Sequence, residues 1–309
     1  MRIHHGLHGS PIATDGCVAT IGNFDGLHLG HQTLIQRLAD MGRQSELPVC
    51  IVLFEPQPRE FFEGDAAPAR LSRLGDKLLL LQQMPVDHVL VLRFDHTLAD
   101  LDAASFIEQV LVHRLHVNHL VIGDDFRFGR GREGNFALLR ADGRFSVSDT
   151  PPLHFEGERI SSTRLRAALE QGNLELARKL MGRDYTMHGK VVSGARLGRR
   201  LGFPTANIRL MRKNLPLTGV FAVTMRTHHG LRLHGVANIG IRPSLAGQPE
   251  ALLEVHAFDF SGNLYGSRVA VALQHKLREE QRFPDLESLR QQITRDAAQA
   301  RHYFTTAKQ

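Results

Sequence analysis

The chain changes its hydrophobic pattern near residue 184, and this change constrains the fold more than any other feature. Before it, short apolar runs alternate with segments of helical periodicity, which is typical of a parallel sheet flanked by helices. After it, strand-like runs alternate with glycine-containing turns, which favours a small barrel because closure removes exposed sheet edges. The chain has 309 residues, of which 42% are hydrophobic, enough material for two cores. We therefore predict two domains, 1–183 and 184–309.

The predicted elements follow from the spacing of apolar residues. In the first domain one helix starts near His31, and further helices end at Gly172 and Gly182. A final helix is predicted from about Asp285 to Phe304. The remaining apolar runs predict strands and one more helix: strands 17–21, 49–54, 88–94 and 119–126, then helix 103–115, then strands 188–194, 219–227, 231–240, 252–260 and 267–277. The expected fold is α/β with a parallel sheet, followed by an antiparallel barrel and a C-terminal helix.

Charge and cysteine content limit the functional classes. Lys and Arg outnumber Asp and Glu by 38 to 32, and the pI is near 9.7, which suits phosphorylated small molecules, nucleic acid or an anionic membrane. The lack of Trp and the 6% aromatic content argue against stacking on single strands. Cys17 and Cys50 lie in apolar runs without metal-ligand spacing, so we expect buried thiols. No signal-peptide pattern or bilayer-length apolar run occurs, so a cytoplasmic protein is expected.

The stretch GNFDGLHLGH, residues 22–31, places two histidines where a strand passes into a helix. His28 and His31 are three residues apart, so their rings can face the same side of the helix start. The preceding glycines allow close backbone approach, and a helix N-terminus favours negative charge. Two imidazoles there can donate hydrogen bonds to phosphoryl oxygens during a displacement at phosphorus. Taken alone, the pair is equally compatible with two surface or capping histidines.

A second motif, RISST, directly precedes a predicted helix. Ser161, Ser162 and Thr163 offer an N-cap and hydroxyl donors, while Arg159 and Arg166 add positive charge. These groups can bind an anion, although an ordinary capped helix is the more common explanation of such a motif alone.

The segment GARLGRRLGFPTANI, residues 194–208, lacks the G-K-[ST] of a P-loop. Backbone amides of a glycine-rich loop and arginine charges can nevertheless cover a triphosphate. Thr205 and Asn207 alternate along an extended stretch, so both oxygens can reach a hard cation such as Mg²⁺. Without further context, a turn into a strand is the favoured interpretation of this segment.

Glu254 lies in the otherwise apolar strand LLEVHAF. A carboxylate there must be paired, hydrated or functional. It can accept the proton of a hydroxyl that attacks a γ-phosphate, and a salt bridge at the barrel rim is an equally good explanation.

Taken together, these motifs resemble known enzymes. GNFDGLHLGH with RISSTRLR resembles the nucleotidyltransferases that carry H-x-G-H and I-S-S-T-x-x-R signatures, which transfer a nucleotidyl group and release pyrophosphate. FEPQPREFF (54–62) and VIGDDFRFGRGREGN (121–135) are similar to the flavin-adenylating branch, the prokaryotic bifunctional riboflavin kinase/FAD synthetase family. The order from GRRLGFPTANI to LREEQRF resembles riboflavin kinase across its whole domain. Gln57 departs from the family pattern, in which many members have histidine, and is assigned no catalytic duty.

For the first domain, the resemblance implies a Rossmann-like nucleotidyltransferase that adenylates FMN. His28 and His31 would hold the α-phosphate of ATP while the FMN phosphate attacks it. The residues that would line the nucleotide pocket or grip pyrophosphate are Gly22, Asn23, Phe24, Asp25, Gly26, Arg159, Ser162 and Thr163. Asp125 and Phe126 would bound the flavin, whereas Phe126 and Phe128 considered alone are better explained as core residues.

For the second domain, the resemblance implies a barrel of the riboflavin kinase type. Glu254 would act as the base on the riboflavin 5′-hydroxyl, with Mg²⁺ bound at Thr205 and Asn207. The remaining implied contacts are with phosphate, from Gly194, Arg196 and Gly198, and with flavin, from Asn238 and Arg242.

The leading hypothesis is therefore one chain with two active sites, which uses ATP, riboflavin and FMN and needs no nucleic acid or membrane. A second hypothesis keeps only the adenylyltransferase active and treats the barrel as a silent flavin-binding module. A third, a basic nucleic-acid-binding protein, explains the pI but leaves the paired histidines and Glu254 without a purpose. The sequence does not indicate an oligomeric state.

Overall fold

The structure is a computed structural model that describes residues 1–123, 125–194, 198, 201–212, 214–243 and 249–306, without the side chains of 242, 243, 249 and 250. The chain forms two compact units. The first comprises Met1–Pro68 and Ser72–Ser162, and the second comprises Ala69–Leu71 and the residues from Thr163 onward. The domain boundary between residues 183 and 184 stays a prediction.

A six-stranded sheet forms the centre of the first unit. Its strands are β1 (Arg2–His5), β2 (Cys17–Ile21), β3 (Val49–Glu55), β4 (His88–Arg93), β5 (Val117–Ile122) and β6 (Ser146–Asp149). Their spatial order is β1-β4-β3-β2-β5-β6, and every neighbouring pair is parallel. The predicted parallel sheet is confirmed. The sequence reading missed the edge strands β1 and β6, because RIHH and SVSD are short and polar.

Helices connect these strands. They are α1 (Leu29–Ser45), α2 (Pro58–Glu63), α3 (Leu74–Leu81), α4 (His96–Ala99), α5 (Ala103–Phe106) and α6 (Phe136–Asp142). The helix predicted for 103–115 is present, but its second part, Ile107–Arg114, is π-helical. Two short strands, β7 (His154–Phe155) and β8 (Glu158–Arg159), form a separate antiparallel ribbon before the next helix.

The sheet of the first unit is buried on both faces. Along β3, Val52 packs in the cluster that includes the π-helical segment, whereas Ile51 packs in the cluster that includes α1 and α3. Cys17 and Cys50 are buried free thiols, as predicted. Their mutual hydrogen bond and their burial raise the pKa of the Cys17 thiol, so it is a structural rather than a reactive cysteine.

Two helices and a closed barrel follow. Helices α7 (Ser162–Glu170) and α8 (Leu174–Met181) are followed by Gly172 and Gly182, both at φ 70°, as the sequence predicted. The barrel strands are β9 (Thr186–Val192), β10 (Ala206–Arg209), β11 (Gly219–Thr227), β12 (Arg232–Pro243), β13 (Pro249–Ala257) and β14 (Arg268–Arg278). The closed order β10-β13-β12-β11-β14-β9 is antiparallel throughout, which confirms the predicted barrel.

The C-terminal helix α9 (Leu286–Thr306) packs on β11, β12 and β14. Its Ala297 and Ala300 contact the cluster that contains Val220 and Val236 of the barrel. The predicted terminal helix is confirmed. Within the described part of the chain, no helix combines the length and the apolar character needed to cross a bilayer.

Candidate active sites

The two histidines of the first motif form a stacked pair at the start of α1. His28 is the N-cap residue with extended backbone, and the His31 N–H donates to its carbonyl at 2.9 Å. The ring centroids lie 3.7 Å apart with an interplanar angle of 17°, so both rings face the same side, as predicted. His28 is buried and His31 is partly exposed, so the pair is accessible mainly through His31.

Gly30 makes close packing possible at this pair. A Cβ at this position would lie 3.3 Å from His28 Nδ1 and 3.7 Å from the carbonyl oxygen of Ile160. The segment that carries the Ser-Ser-Thr motif therefore approaches the histidine motif through the space that glycine leaves open. Gly30 was not predicted as a site residue, although its place between the two histidines could have indicated it.

Asp25 and Ser162 connect the two motifs of the first unit directly. The Ser162 hydroxyl donates to the Asp25 carbonyl at 2.8 Å. The Asp25 carboxylate is buried and accepts hydrogen bonds from the N–H of Ser72 at 3.0 Å and from its hydroxyl at 3.3 Å. This carboxylate therefore orders the loop rather than facing solvent. Thr163 lies in the first turn of α7.

The loop of residues 22–26 is held in an unusual backbone conformation. Phe24 is a buried non-glycine residue at φ 47°, and its ring centroid lies 5.0 Å from that of His31. The Asn23 carbonyl accepts a hydrogen bond from Lys77 Nζ at 2.7 Å. Sequence reasoning missed Ser72 and Lys77, because they lie about 50 residues along the chain from the loop they contact and belong to no local motif.

The two residues predicted to contact the flavin, Asp125 and Phe126, lie in different surroundings. Phe126 lines a mainly apolar cavity of about 430 Å³. The lining includes Phe54, Phe62, Phe94, Phe106 and Phe128, and also the charged residues Arg59, Glu63, Arg127 and Arg132. Asp125 does not line this cavity. Its exposed carboxylate instead lies 3.9 Å from the Arg159 guanidinium. Phe128 is 6% exposed and packs against Phe106 at 5.3 Å, so it serves the core as well as the cavity wall.

The second unit carries a row of register partners across the barrel, and most of their side chains are polar. Asn207 of β10 is the register partner of Glu254 of β13, which is in turn the partner of Asn238 of β12. The row continues to Val220 of β11 and Arg278 of β14. All five residues line one cavity of about 300 Å³, because register partners project from the same face of a sheet.

The segment before β10 brings further predicted residues to this cavity. Gly198 and Thr205 both line it, and a Cβ on Gly198 would lie 3.3 Å from the Thr205 hydroxyl. A Cβ on Gly194 would lie 2.5 Å from the Asn207 amide nitrogen. The glycines therefore let the loop backbone approach Thr205 and Asn207 closely. Arg196 and the Arg242 side chain lie outside the described part of the structure.

Helix α9 and the end of β14 close the cavity. Arg278 makes a bidentate ion pair with the buried Asp296, with a shortest distance of 2.7 Å. Asn238 donates to Glu280 at 3.1 Å, and both of these residues line the cavity. Leu289 adds part of an apolar wall. Asn238 was predicted, but Arg278 and Asp296 were missed, because their ion pair joins a strand to a helix 18 residues away.

The oxygen atoms of Thr205, Asn207 and Glu254 are the hard ligands that Mg²⁺ prefers. Mg²⁺ takes few protein ligands and completes its shell with water and phosphate oxygens. The donor set therefore fits a magnesium–nucleotide site. Among the described residues, no group of three or more His, Cys, Asp or Glu side chains is arranged to hold a metal ion.

Comparisons with known proteins agree with the division into two units. A family model described as FAD synthetase matches residues 10–164, and one described as riboflavin kinase matches residues 181–304. The solved structure of a Streptococcus pneumoniae protein described as a macrolide-efflux protein is 28% identical, with a TM-score of 0.81, and covers 96% of this chain and 97% of that one.

Three curated relatives share the same description, bifunctional riboflavin kinase/FMN adenylyltransferase. The Haemophilus influenzae protein is 48% identical over 99% of this chain and 100% of its own. The Escherichia coli protein is 48% identical over 100% of this chain and 99% of its own. The Pseudomonas fluorescens protein is 46% identical over 97% of this chain and 97% of its own. The chain belongs to the family of bifunctional riboflavin kinase/FMN adenylyltransferases.

Proposed function

We propose that the two reactions of the family are divided between the two sites described above. The chain is a transferase with riboflavin kinase and FMN adenylyltransferase activities. One observation carries the division: the range matched by FAD synthetase contains the stacked histidines, and the range matched by riboflavin kinase contains the register row Asn207, Glu254 and Asn238.

At the first site, FMN becomes FAD. A phosphate oxygen of FMN attacks the α-phosphorus of ATP, the bond to the β-phosphate breaks, and pyrophosphate leaves. His28 and His31 donate hydrogen bonds to the α-phosphate, where negative charge develops. Arg159, Ser162 and Thr163 bind the departing pyrophosphate, which is favoured at the start of α7.

The loop between β2 and α1 shapes the nucleotide pocket of this first site through its backbone, with Gly22, Asn23, Phe24, Asp25 and Gly26. The Asp25 carboxylate contributes indirectly, because it bonds to Ser72. Phe126 contacts the flavin ring from the aromatic cavity, which is large and apolar enough to receive part of it. Asp125 lies beside Arg159 at the rim.

At the second site, riboflavin becomes FMN. Glu254 accepts the proton of the riboflavin 5′-hydroxyl as its oxygen attacks the γ-phosphorus of ATP and ADP leaves. Thr205 and Asn207 would hold Mg²⁺, which neutralises phosphate charge when bound. Gly194, Arg196 and Gly198 cover the phosphates, and Asn238 and Arg242 contact the flavin.

A catalytically silent barrel is the weaker alternative, because the oxygen-bearing side chains of Thr205, Asn207 and Glu254 all line one cavity. The partners are small molecules: ATP, riboflavin and FMN. We place the protein in the cytoplasm, without a nucleic-acid or membrane partner, since these substrates and its two free thiols suit a reducing compartment.

Chromatography of the products from riboflavin, ATP and Mg²⁺ tests this assignment. We expect FMN to appear first and FAD to follow, and we expect FAD from added FMN without a lag. A folded protein that adenylates FMN but forms no FMN from riboflavin would support the silent-barrel alternative.

A further inference from the structure

Lys77 is a buried lysine, and burial of its charge is expected to lower the stability of the fold. Lys77 is 1% exposed and lies in the first turn of α3. Burial of an ammonium group is unfavourable, and the helix dipole opposes a positive charge at this end. An apolar residue of similar size would pack there at lower cost. Packing alone therefore does not explain why a lysine occupies this position.

The contact of Lys77 points to that reason. Its Nζ donates to the Asn23 carbonyl at 2.7 Å, directly before Phe24. A non-glycine residue at φ 47° persists only where its surroundings fix it, and the Phe24 ring packs 5.0 Å from the His31 ring. The lysine thus restrains the backbone that supports one of the two histidines.

Ser72 holds the other end of the same loop. Its hydroxyl accepts a hydrogen bond from the Gly26 N–H at 2.9 Å, and its own N–H donates to the Asp25 carboxylate at 3.0 Å. Ser72 is 6% exposed, so water does not compete for these contacts. Residues on both sides of Phe24 are therefore fixed by one short segment, 72–77.

We infer that Ser72 and Lys77 are positioning residues for the triphosphate of ATP in adenylyl transfer. They act through the 22–26 loop and His31, and the lysine adds a positive charge behind the loop in a poorly solvated place. The inference rests on the proposed assignment of FMN adenylylation to the first site. Neither residue touches the reacting atoms in this account.

Steady-state kinetics of FAD formation from FMN tests the inference with Lys77→Met, Ser72→Ala and Ser72→Thr. We expect the first two variants to raise the KM for ATP at least 10-fold while the KM for FMN stays within 3-fold, because the phosphates are the ligand that the loop receives. Ser72→Thr keeps the hydroxyl and should stay within 3-fold of the wild type. Riboflavin phosphorylation by the same proteins should change less than 2-fold.

Lys179→Met is the matched control, since Lys179 is an exposed lysine paired with Glu175 on α8. It should leave both KM values unchanged. An unchanged KM for ATP in both Lys77→Met and Ser72→Ala would overturn the inference, and so would a loss of activity that only follows the loss of folded protein. His31→Ala distinguishes a failure of this inference from a failure of the proposed function. If His31→Ala too leaves FAD formation intact, the proposed site itself is wrong.

Discussion

Asn207 and Glu254 are register partners on the adjacent antiparallel strands β10 and β13, and both side chains line the same cavity. Asn238 flanks Glu254 on the opposite side, as its partner on β12. The carboxylate therefore stands between two amides on a rigid sheet face. Such a setting can hold a base beside a bound nucleotide with little freedom to move.

Glu254→Gln is expected to remove the base while keeping the shape of the side chain. The turnover of riboflavin to FMN should fall by about 10²- to 10⁴-fold, the usual contribution of a general base. Initial rates of FMN formation measure the effect. Glu287→Gln, on the exposed face of α9, is the control and should keep the wild-type rate. Retention of more than a tenth of the activity by Glu254→Gln would exclude this role.

Gly194→Ala is expected to disturb the predicted magnesium site. The added Cβ would lie 2.5 Å from the amide of Asn207, which is 6% exposed and has little room to move. The Mg²⁺ concentration needed for half-maximal FMN formation should rise at least 5-fold. Gly75→Ala meets nothing within 4 Å and should leave it unchanged. An equal Mg²⁺ dependence in both variants would count against Asn207 as a ligand.

The ion pair between Arg278 and Asp296 should matter for stability. Asp296 is 2% exposed, so its removal leaves a poorly solvated guanidinium without its partner. We expect Asp296→Ala to lower the free energy of unfolding by about 3–5 kcal/mol. Asp259→Ala breaks the exposed pair with Arg301 and should change the free energy of unfolding far less, because solvent screens an exposed ion pair. Urea unfolding, followed by far-UV circular dichroism rather than by activity because Arg278 and Asp296 line the cavity, compares the two variants.

His4 and His88 should make the first unit sensitive to acid. Their ring nitrogens lie 3.0 Å apart across β1 and β4, and burial lowers the pKa of both below the usual 6.5. Nearby Arg2 and Arg114 lower the pKa of His4 further, whereas Asp87 acts in the opposite direction on His88.

The sign of this effect follows from proton binding. The unfolded chain binds more protons than the folded one as the pH falls below 6.5, so the stability that the neutral pair contributes is present above that value and is lost towards lower pH. We expect the melting temperature to fall between pH 7 and pH 5, and to fall less in His88→Asn. Identical slopes in the two proteins would show that the pair is not responsible.

The regular elements could be predicted because hydrophobic periodicity is local. Strand β11 was predicted with its observed bounds, and α9 within two residues, since both carry a strong repeating pattern. The edge strands β1 and β6 are polar, and the switch to π-helix at Ile107 has no periodic signal. The sequence alone could not reveal these features.

For the candidate sites too, local features could be predicted from the sequence and non-local contacts could not. His28 with His31, and Thr205 with Asn207, were predicted as pairs because each pair lies within four residues. Lys77 could not be predicted, since its contact with Asn23 depends on how α3 packs against a distant loop. The register of β13 is likewise non-local, and it alone brings Glu254 opposite Asn207.

The central claim, two independent catalytic sites, is tested most directly by assaying His31→Ala and Glu254→Gln with each substrate in turn. With riboflavin, ATP and Mg²⁺, His31→Ala should accumulate FMN and form almost no FAD. With FMN, ATP and Mg²⁺, Glu254→Gln should form FAD at the wild-type rate, although its turnover of riboflavin to FMN is about 10²- to 10⁴-fold slower. If either substitution abolished both reactions in a protein that remained folded, the account of two independent sites would be contradicted.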